Sequence, residues 1–177
     1  MKKESGSKKA IFLDRDGVIN YDKGYVYKIE DFKFVDRVFE VLRAFQDNGY
    51  LLFIVTNQSG IGRGYYTKED FEKLTDWMLK EFEKRGIRIE KVYFCPHAPE
   101  EKCDCRKPAT GMFEKAFSEY PIDKENSWMI GDKHTDMKAA ADAGIKNTVL
   151  IGNCFIRDEN AKYIVNDIFD TIRLIIG

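Results

Sequence analysis

Short apolar runs recur along this chain, and most are followed by a segment with helical spacing. The runs cover residues 10–13, 50–55, 92–94, 128–130 and 148–151, with a weaker one at 163–165. Between them, Val38, Val41, Leu42 and Phe45 stand at i, i+3, i+4 and i+7, and the segment closes at Asn48-Gly49. Phe71, Leu74, Met78 and Phe82 form a second stripe, with Thr67 as its expected N-cap and Gly86 as its stop. Phe113, Ala116, Phe117 and Tyr120 give a third; an Ala-rich stretch at 137–143 halts at Gly144; Ile168, Ile172 and Ile175 suggest a C-terminal helix. All these stripes read as faces packed on a core. Strands alternating with helices predict an α/β fold: a three-layer, Rossmann-like, mostly parallel sheet with helices on both faces. In such folds ligands bind where the strands end.

Length and charge narrow the reading further. The 177 residues suit one domain over 10–177, preceded by a polar leader over 1–9 that lacks the apolar stretch of a secretory signal. The longest large apolar run has six residues, against the ~20 of a membrane helix. Lys plus Arg number 29 and Asp plus Glu 30, so no net field draws the chain to nucleic acid or an anionic membrane. A cytoplasmic monomer acting on a small molecule is the expectation.

The residues after each run carry the chemistry. After the first come Asp14-Arg15-Asp16-Gly17-Val18-Ile19-Asn20. In an extended chain Asp14 and Asp16 share a face about 7 Å apart, and two carboxylates so placed suit a hard cation such as Mg²⁺; a plain polar turn is the alternative. After the second comes Thr56-Asn57-Gln58-Ser59-Gly60-Ile61-Gly62-Arg63-Gly64, either a flexible connection or a loop that meets an anion with its backbone. After the third come Cys95-Pro96-His97 and then Cys103-Asp104-Cys105-Arg106-Lys107-Pro108. Three thiolates and one imidazole complete a tetrahedral zinc shell with no place for water, hence a structural metal. The competing readings are a disulfide, disfavoured in the cytoplasm, or buried thiols, which leave His97 unexplained. After the fourth come Gly131-Asp132-Lys133-His134-Thr135-Asp136. Asp132 is placed to join the Mg²⁺ shell begun by Asp14, whereas Asp136 has an ordinary role at a helix N-terminus. His134 reads as an exposed loop residue and Cys154 as a packed or half-exposed thiol.

Taken in order, these motifs resemble those of the haloacid dehalogenase superfamily of phosphohydrolases: Asp14 and Asp16, then Thr56, then Lys107, then Asp132 with Asp136. The resemblance spans about residues 10–151. The Cys-His-Cys-Cys loop is similar to that of a small zinc-bearing group comprising heptose-bisphosphate phosphatases and histidinol phosphatases. The stretches 14–20, 24–26 and 56–64, with Ser59 and Arg63, favour the sugar-bisphosphate branch; the five residues between His97 and Cys103 are also typical of the histidinol branch.

The resemblance implies that Asp14 is the nucleophile and Asp16 the general acid and base. It implies that Asp14, Asp132 and Asp16 (through its backbone carbonyl) hold Mg²⁺, and that Thr56 and Lys107 grip the transferring phosphoryl group. Sugar contacts are implied at Asp22, Lys23, Gly24 and Tyr25 and at Asn57, Gln58 and Ser59. Arg106 would meet a second phosphate and Lys133 the reacting one. Residues 17–35 and 57–66 are too short to hold a cap domain, so an open site is expected. A non-catalytic zinc-stapled binding module and a nucleic-acid end-processing enzyme are the other classes. Phosphate release with and without Mg²⁺ separates the first, and the balanced charge without an aromatic-basic stripe disfavours the second.

Overall fold

A computed structural model describes residues 6–153 and 155–177. Residues 1–5 of the expected leader, and Cys154, lie outside the described residues. The inner end of that leader belongs to the fold. The Lys8 N–H donates to the Pro121 carbonyl at 2.7 Å, and the Lys8 carbonyl accepts from the Asp123 N–H at 2.8 Å.

Six strands, β1 (Ala10–Leu13), β2 (Leu51–Asn57), β3 (Lys91–Cys95), β4 (Trp128–Gly131), β5 (Asn147–Ile151) and β6 (Tyr163–Val165), form one sheet in the order β3-β2-β1-β4-β5-β6. Every adjacent pair is parallel. Alternation along β1 and β2 builds both cores. Ile11, Leu13, Leu52 and Ile54 pack under α1 (Val38–Asp47), while Ala10, Phe12, Phe53 and Val55 face the opposite layer. Between β2 and β3 lie α2 (Ser59–Gly62) and α3 (Lys68–Glu83). Next come α4 (Gly111–Glu119), α5 (His134–Ala143) and α6 (Asp170–Ile175). α1, α3 and α6 cover one face; α4 and α5 cover the other.

Thr67 caps α3 as expected: its hydroxyl accepts the Asp70 N–H at 3.1 Å and its own N–H donates to the Asp70 carboxylate at 2.9 Å. The segment after β2 differs from the open loop that its glycines suggest. It turns helically because the Gln58 and Gly62 N–H groups donate to the Cys95 and Pro96 carbonyls, at 2.7 and 2.8 Å. A side chain at Gly60 would collide with the Tyr66 ring.

No cap domain is inserted among the described residues. The connection from β1 to α1 holds a 3₁₀ turn (Ile29–Asp31) and isolated bridges, and the one after β2 holds the single turn of α2. No helix among them is long and apolar enough to cross a membrane.

Candidate active site

The sheet order reverses between β1 and β4, since the chain runs from β1 out to β3 and then crosses back to β4. That is the switch point where open parallel sheets bind ligands. Asp14 follows β1 there and Asp132 follows β4, with the Asp14 N–H extending the ladder onto the Ile130 carbonyl at 3.1 Å.

Asp14 is 6 % exposed, Thr56 fully buried and Lys107 2 % exposed. The Lys107 ammonium donates to Asp14 Oδ1 at 3.1 Å, to the Val55 carbonyl at 2.8 Å and to Asp136 Oδ1 at 2.6 Å. Asn57 seats that lysine, pairing its own side-chain amide with the Lys107 backbone N–H and carbonyl at 3.0 and 3.2 Å. Burial alone would lower the Lys107 ammonium, but Asp136 and Asp14 outweigh it and hold the group protonated. Burial, then Asp136, with Asp132 and Asp16 adding, pushes Asp14 well above the usual carboxylate range against the pull of Lys107. Asp132 is pushed up to about 6, first by burial and then by Asp136.

These shifts describe a site short of positive charge. Asp14, Asp132 and Asp136 each bring an oxygen into a group spanning no more than 4.8 Å. Asp136 has both oxygens committed: Oδ1 to Lys107, and Oδ2 to the Asp132 and Lys133 N–H groups at 3.2 and 3.1 Å. Asp132 Oδ1 is buried without a hydrogen-bond partner. Asp14 and Asp132 therefore fit a hard divalent cation, which would relieve the repulsion and satisfy the orphaned oxygen. Gly17 permits the arrangement. Its φ is +90°, and a β-carbon there would collide with Asp132 Oδ2.

Asp16 was expected to meet Mg²⁺ through its backbone carbonyl, and its carboxylate stands outside the three-acid group. Its Oδ1 accepts from Arg15 Nη2 at 2.8 Å and Asn20 Nδ2 at 3.0 Å, and its Oδ2 from Gln58 Nε2 at 3.1 Å. Those donors hold the side chain apart from the three-acid cluster, leaving the backbone carbonyl as the part of Asp16 that the resemblance assigns to the metal.

At the β3 exit the Cys95 and Cys105 sulfurs lie in close contact. Two further donors converge on them. Cys95 Sγ lies 3.4 Å from both His97 Nδ1 and Cys103 Sγ, Cys105 Sγ lies 3.2 Å from His97 Nδ1 and 3.6 Å from Cys103 Sγ, and the Arg106 N–H donates to Cys103 Sγ at 3.4 Å. All four donors lie within 4.8 Å of one another, the convergence that one tetrahedral ion asks of its ligands. A disulfide uses two of the four donors and leaves the convergence of His97 and Cys103 unexplained, so the set fits a metal.

A cavity of about 400 Å³ opens over these groups, lined by Asp14, Asp16, Asn57, Gln58, Ser59 and Lys107, and at its mouth by Asp22, Gly24, Tyr25, Arg106 and Lys133. Lys23 is exposed and does not line it. Thr56 also lies below the lining, its hydroxyl accepting from Gln58 Nε2 at 2.9 Å. Arg106 Nη1 is buried without a partner, and Lys133 Nζ sits 3.8 Å from Asp22. The structure adds Arg63, Tyr66 and Thr135 to the lining. It also shows Arg15, 1 % exposed, lying between the Phe32 and Phe71 rings and donating to the Val26 carbonyl at 2.7 Å. Nothing in the spacing marks Arg15 or Tyr66, because their roles depend on residues distant in sequence.

A switch-point carboxylate beside a buried lysine and two further acids, on a parallel sheet without a cap, fits a hydrolase of phosphoric monoesters. Comparisons agree. A family model described as "HAD-hyrolase-like" matches residues 104–171. The chain is 54% identical over 164 residues to the D-glycero-alpha-D-manno-heptose-1,7-bisphosphate 7-phosphatase of Campylobacter jejuni, covering 89% of this chain and 94% of that one. It is 45% identical over 176 residues to the D-glycero-beta-D-manno-heptose-1,7-bisphosphate 7-phosphatase of Haemophilus ducreyi, covering 93% and 97%. Among solved structures, the D,D-heptose 1.7-bisphosphate phosphatase of B. bronchiseptica, complexed with magnesium and phosphate, superimposes with a TM-score of 0.86 at 26% identity, over 95% of this chain and 98% of that one. The chain belongs to the heptose-1,7-bisphosphate 7-phosphatase family of haloacid dehalogenase-like hydrolases.

Proposed function

We propose that this chain removes the 7-phosphate of a D-glycero-D-manno-heptose 1,7-bisphosphate through a phosphorylated Asp14. The observation that carries the reading is Asp14 itself, buried at the switch point and hydrogen-bonded to Lys107, on a chain 54% identical to a named heptose-bisphosphate phosphatase. Asp14 attacks phosphorus and the bond to the sugar oxygen breaks, while Asp16 gives that oxygen a proton. Asp16 then takes a proton from the water that displaces phosphate from Asp14. Lys107 offsets charge on the phosphoryl oxygens throughout. Asp14 and Asp132 would hold Mg²⁺, which would supply the further positive charge that an anionic nucleophile needs to meet an anionic phosphate. The relatives are named for α and for β anomers, which differ at C1, at the other end of the sugar from the 7-phosphate, so the proposal covers the heptose bisphosphate and not one anomer.

Phosphate release from both anomers of the bisphosphate, from heptose 7-phosphate and from histidinol phosphate tests the assignment. The bisphosphates should turn over fastest, and preference for histidinol phosphate would overturn it. Losing a charged hydrogen bond costs roughly 1.5–3 kcal/mol. Arg106→Ala should therefore lower kcat/KM on the bisphosphate by about ten- to a hundredfold and leave the monophosphate nearly unchanged. Equal losses on both would remove Arg106 from the role of second-phosphate contact.

The carboxylate cluster makes a pH-dependent metal effect. A carboxyl whose folded pKa is raised, as for Asp14 and Asp132, contributes stability that is present in acid and lost as pH rises, for Asp132 through about 6. Mg²⁺ should therefore raise the melting temperature more at pH 7.5 than at pH 5. An equal rise at both would place the ion elsewhere.

The second metal in this reading is a structural zinc on Cys95, His97, Cys103 and Cys105. Elemental analysis should find one zinc per chain, lost in Cys103→Ser together with thermal stability. Zinc-free protein that melts as high as the parent would overturn it.

A further inference from the structure

Gln58 was expected among the sugar contacts, yet it is 2 % exposed and its amide is fully committed. Its Nε2 donates both to Asp16 Oδ2 at 3.1 Å and to Thr56 Oγ1 at 2.9 Å. Its Oε1 accepts from the Tyr66 hydroxyl at 2.5 Å. One amide thus bridges the acid–base carboxylate and the threonine at the end of β2.

An amide presents nearly the same shape when rotated by half a turn, so its partners must decide which end faces which. Turned the wrong way, Gln58 would set its oxygen against the Asp16 carboxylate and lose both donors. The Asp16 carboxylate, an acceptor, selects the orientation that turns Nε2 towards it, and the Tyr66 hydroxyl anchors the amide there by giving its proton to Oε1. Burial pushes the phenol up to about 12, so it remains a donor across the working pH range. The ring is itself fixed: it lies in contact with Gly60, where no β-carbon stands in its way, and it stacks on Tyr27 with centroids 4.9 Å apart. Arg15 and Asn20 hold Asp16 from the other side, so the Gln58 bond is the one that ties this carboxylate to β2.

We infer that Tyr66 is a positioning residue for the acid–base step, locking the Gln58 amide so that Asp16 faces the leaving oxygen. The inference rests on the reading of Asp16 as the proton donor and acceptor. It extends the chemistry to a side chain whose hydroxyl is bonded to Gln58 at the edge of the cavity, and it recasts Gln58 as part of the same device.

The test is a pair of single variants and their combination, in the full chain loaded with Mg²⁺. Tyr66→Phe keeps the ring in its slot and removes only the proton. On the sugar bisphosphate, kcat should fall about tenfold with KM nearly unchanged. On 4-nitrophenyl phosphate, whose phenolate departs without a proton, the initial release of nitrophenolate should fall far less. Gln58→Leu should lose more than Tyr66→Phe, and adding Tyr66→Phe to it should cost nothing further, because the amide that Tyr66 orients is gone. The inference is overturned if Tyr66→Phe costs the same factor in both backgrounds, costs both substrates equally, or costs nothing. Asp16→Asn in the same assays separates this from the parent reading. Substantial turnover there removes the acid–base role itself, whereas its loss alongside an unaffected Tyr66→Phe removes only the positioning role.

Discussion

Asp14→Asn is expected to lower phosphate release by about four to six orders of magnitude, the scale of losing a covalent nucleophile, while making the metal-free protein more stable. The two effects have one cause. Asp14 is buried among Asp136, Asp132 and Asp16, and among the described residues Lys107 is the one ammonium bonded to it. At neutral pH its charge costs the fold energy, which the site retains because an amide cannot attack phosphorus. Asparagine keeps the shape and still accepts from the Arg15 N–H and from Lys107, bonds now 2.9 and 3.1 Å long. The melting temperature without Mg²⁺ should therefore rise at pH 7.5, and the added stabilisation by Mg²⁺ should shrink because one of its two free carboxylates is gone. Acid quenching of the parent during turnover should trap phosphate on the peptide that carries Asp14, and the variant should trap none. A variant within tenfold of parent activity would remove Asp14 as the nucleophile.

Much of this site was legible because its parts follow strands directly. Asp14, Thr56 and Asp132 each lie within two residues of where an apolar run ends, so a parallel sheet with the expected strands had to bring them to one edge. The helical stripes behaved likewise, with Val38, Val41, Leu42 and Phe45 all buried under one face. Residues whose function is to hold another residue were harder to read. Asn57 and Gln58 look like ligand-facing amides in a polar, glycine-containing segment, but their partners are Lys107, fifty residues onward, and Asp16, forty-two residues back. Arg15 reads as a charge beside two acids and proves to be, among the described residues, the largest side chain fully buried. Asp136 looked like an acid at a helix start; it does bond the N–H groups there, and the same carboxylate also pins Lys107. Pattern gives the direction a side chain leaves the backbone, whereas a hydrogen-bond network depends on which distant segments the fold brings beside it.

That second role of Asp136 is why Lys107→Met should be the most damaging change to stability. The lysine side chain is 1 % exposed and bonds two carboxylates and a carbonyl. Methionine fills similar volume, so packing loss is small, but Asp14 and Asp136 would face each other without a cation. Removing one partner of a buried ion pair costs about 3–5 kcal/mol, and activity should fall by about two to three orders of magnitude with the loss of a donor to the phosphoryl oxygens. The stability loss should depend on pH. Carboxyls raised by burial and mutual repulsion take up protons in acid, so the variant should melt much closer to the parent at pH 5 than at pH 8. Combining the two changes separates charge from chemistry. In Asp14→Asn/Lys107→Met one negative and one positive charge leave together, so much of the lost stability should return at pH 8 while phosphate release stays at the level of Asp14→Asn. If the double variant is as unstable as Lys107→Met alone, packing rather than charge balance is what the lysine provides, and the account of this site as a deliberately under-neutralised cluster fails.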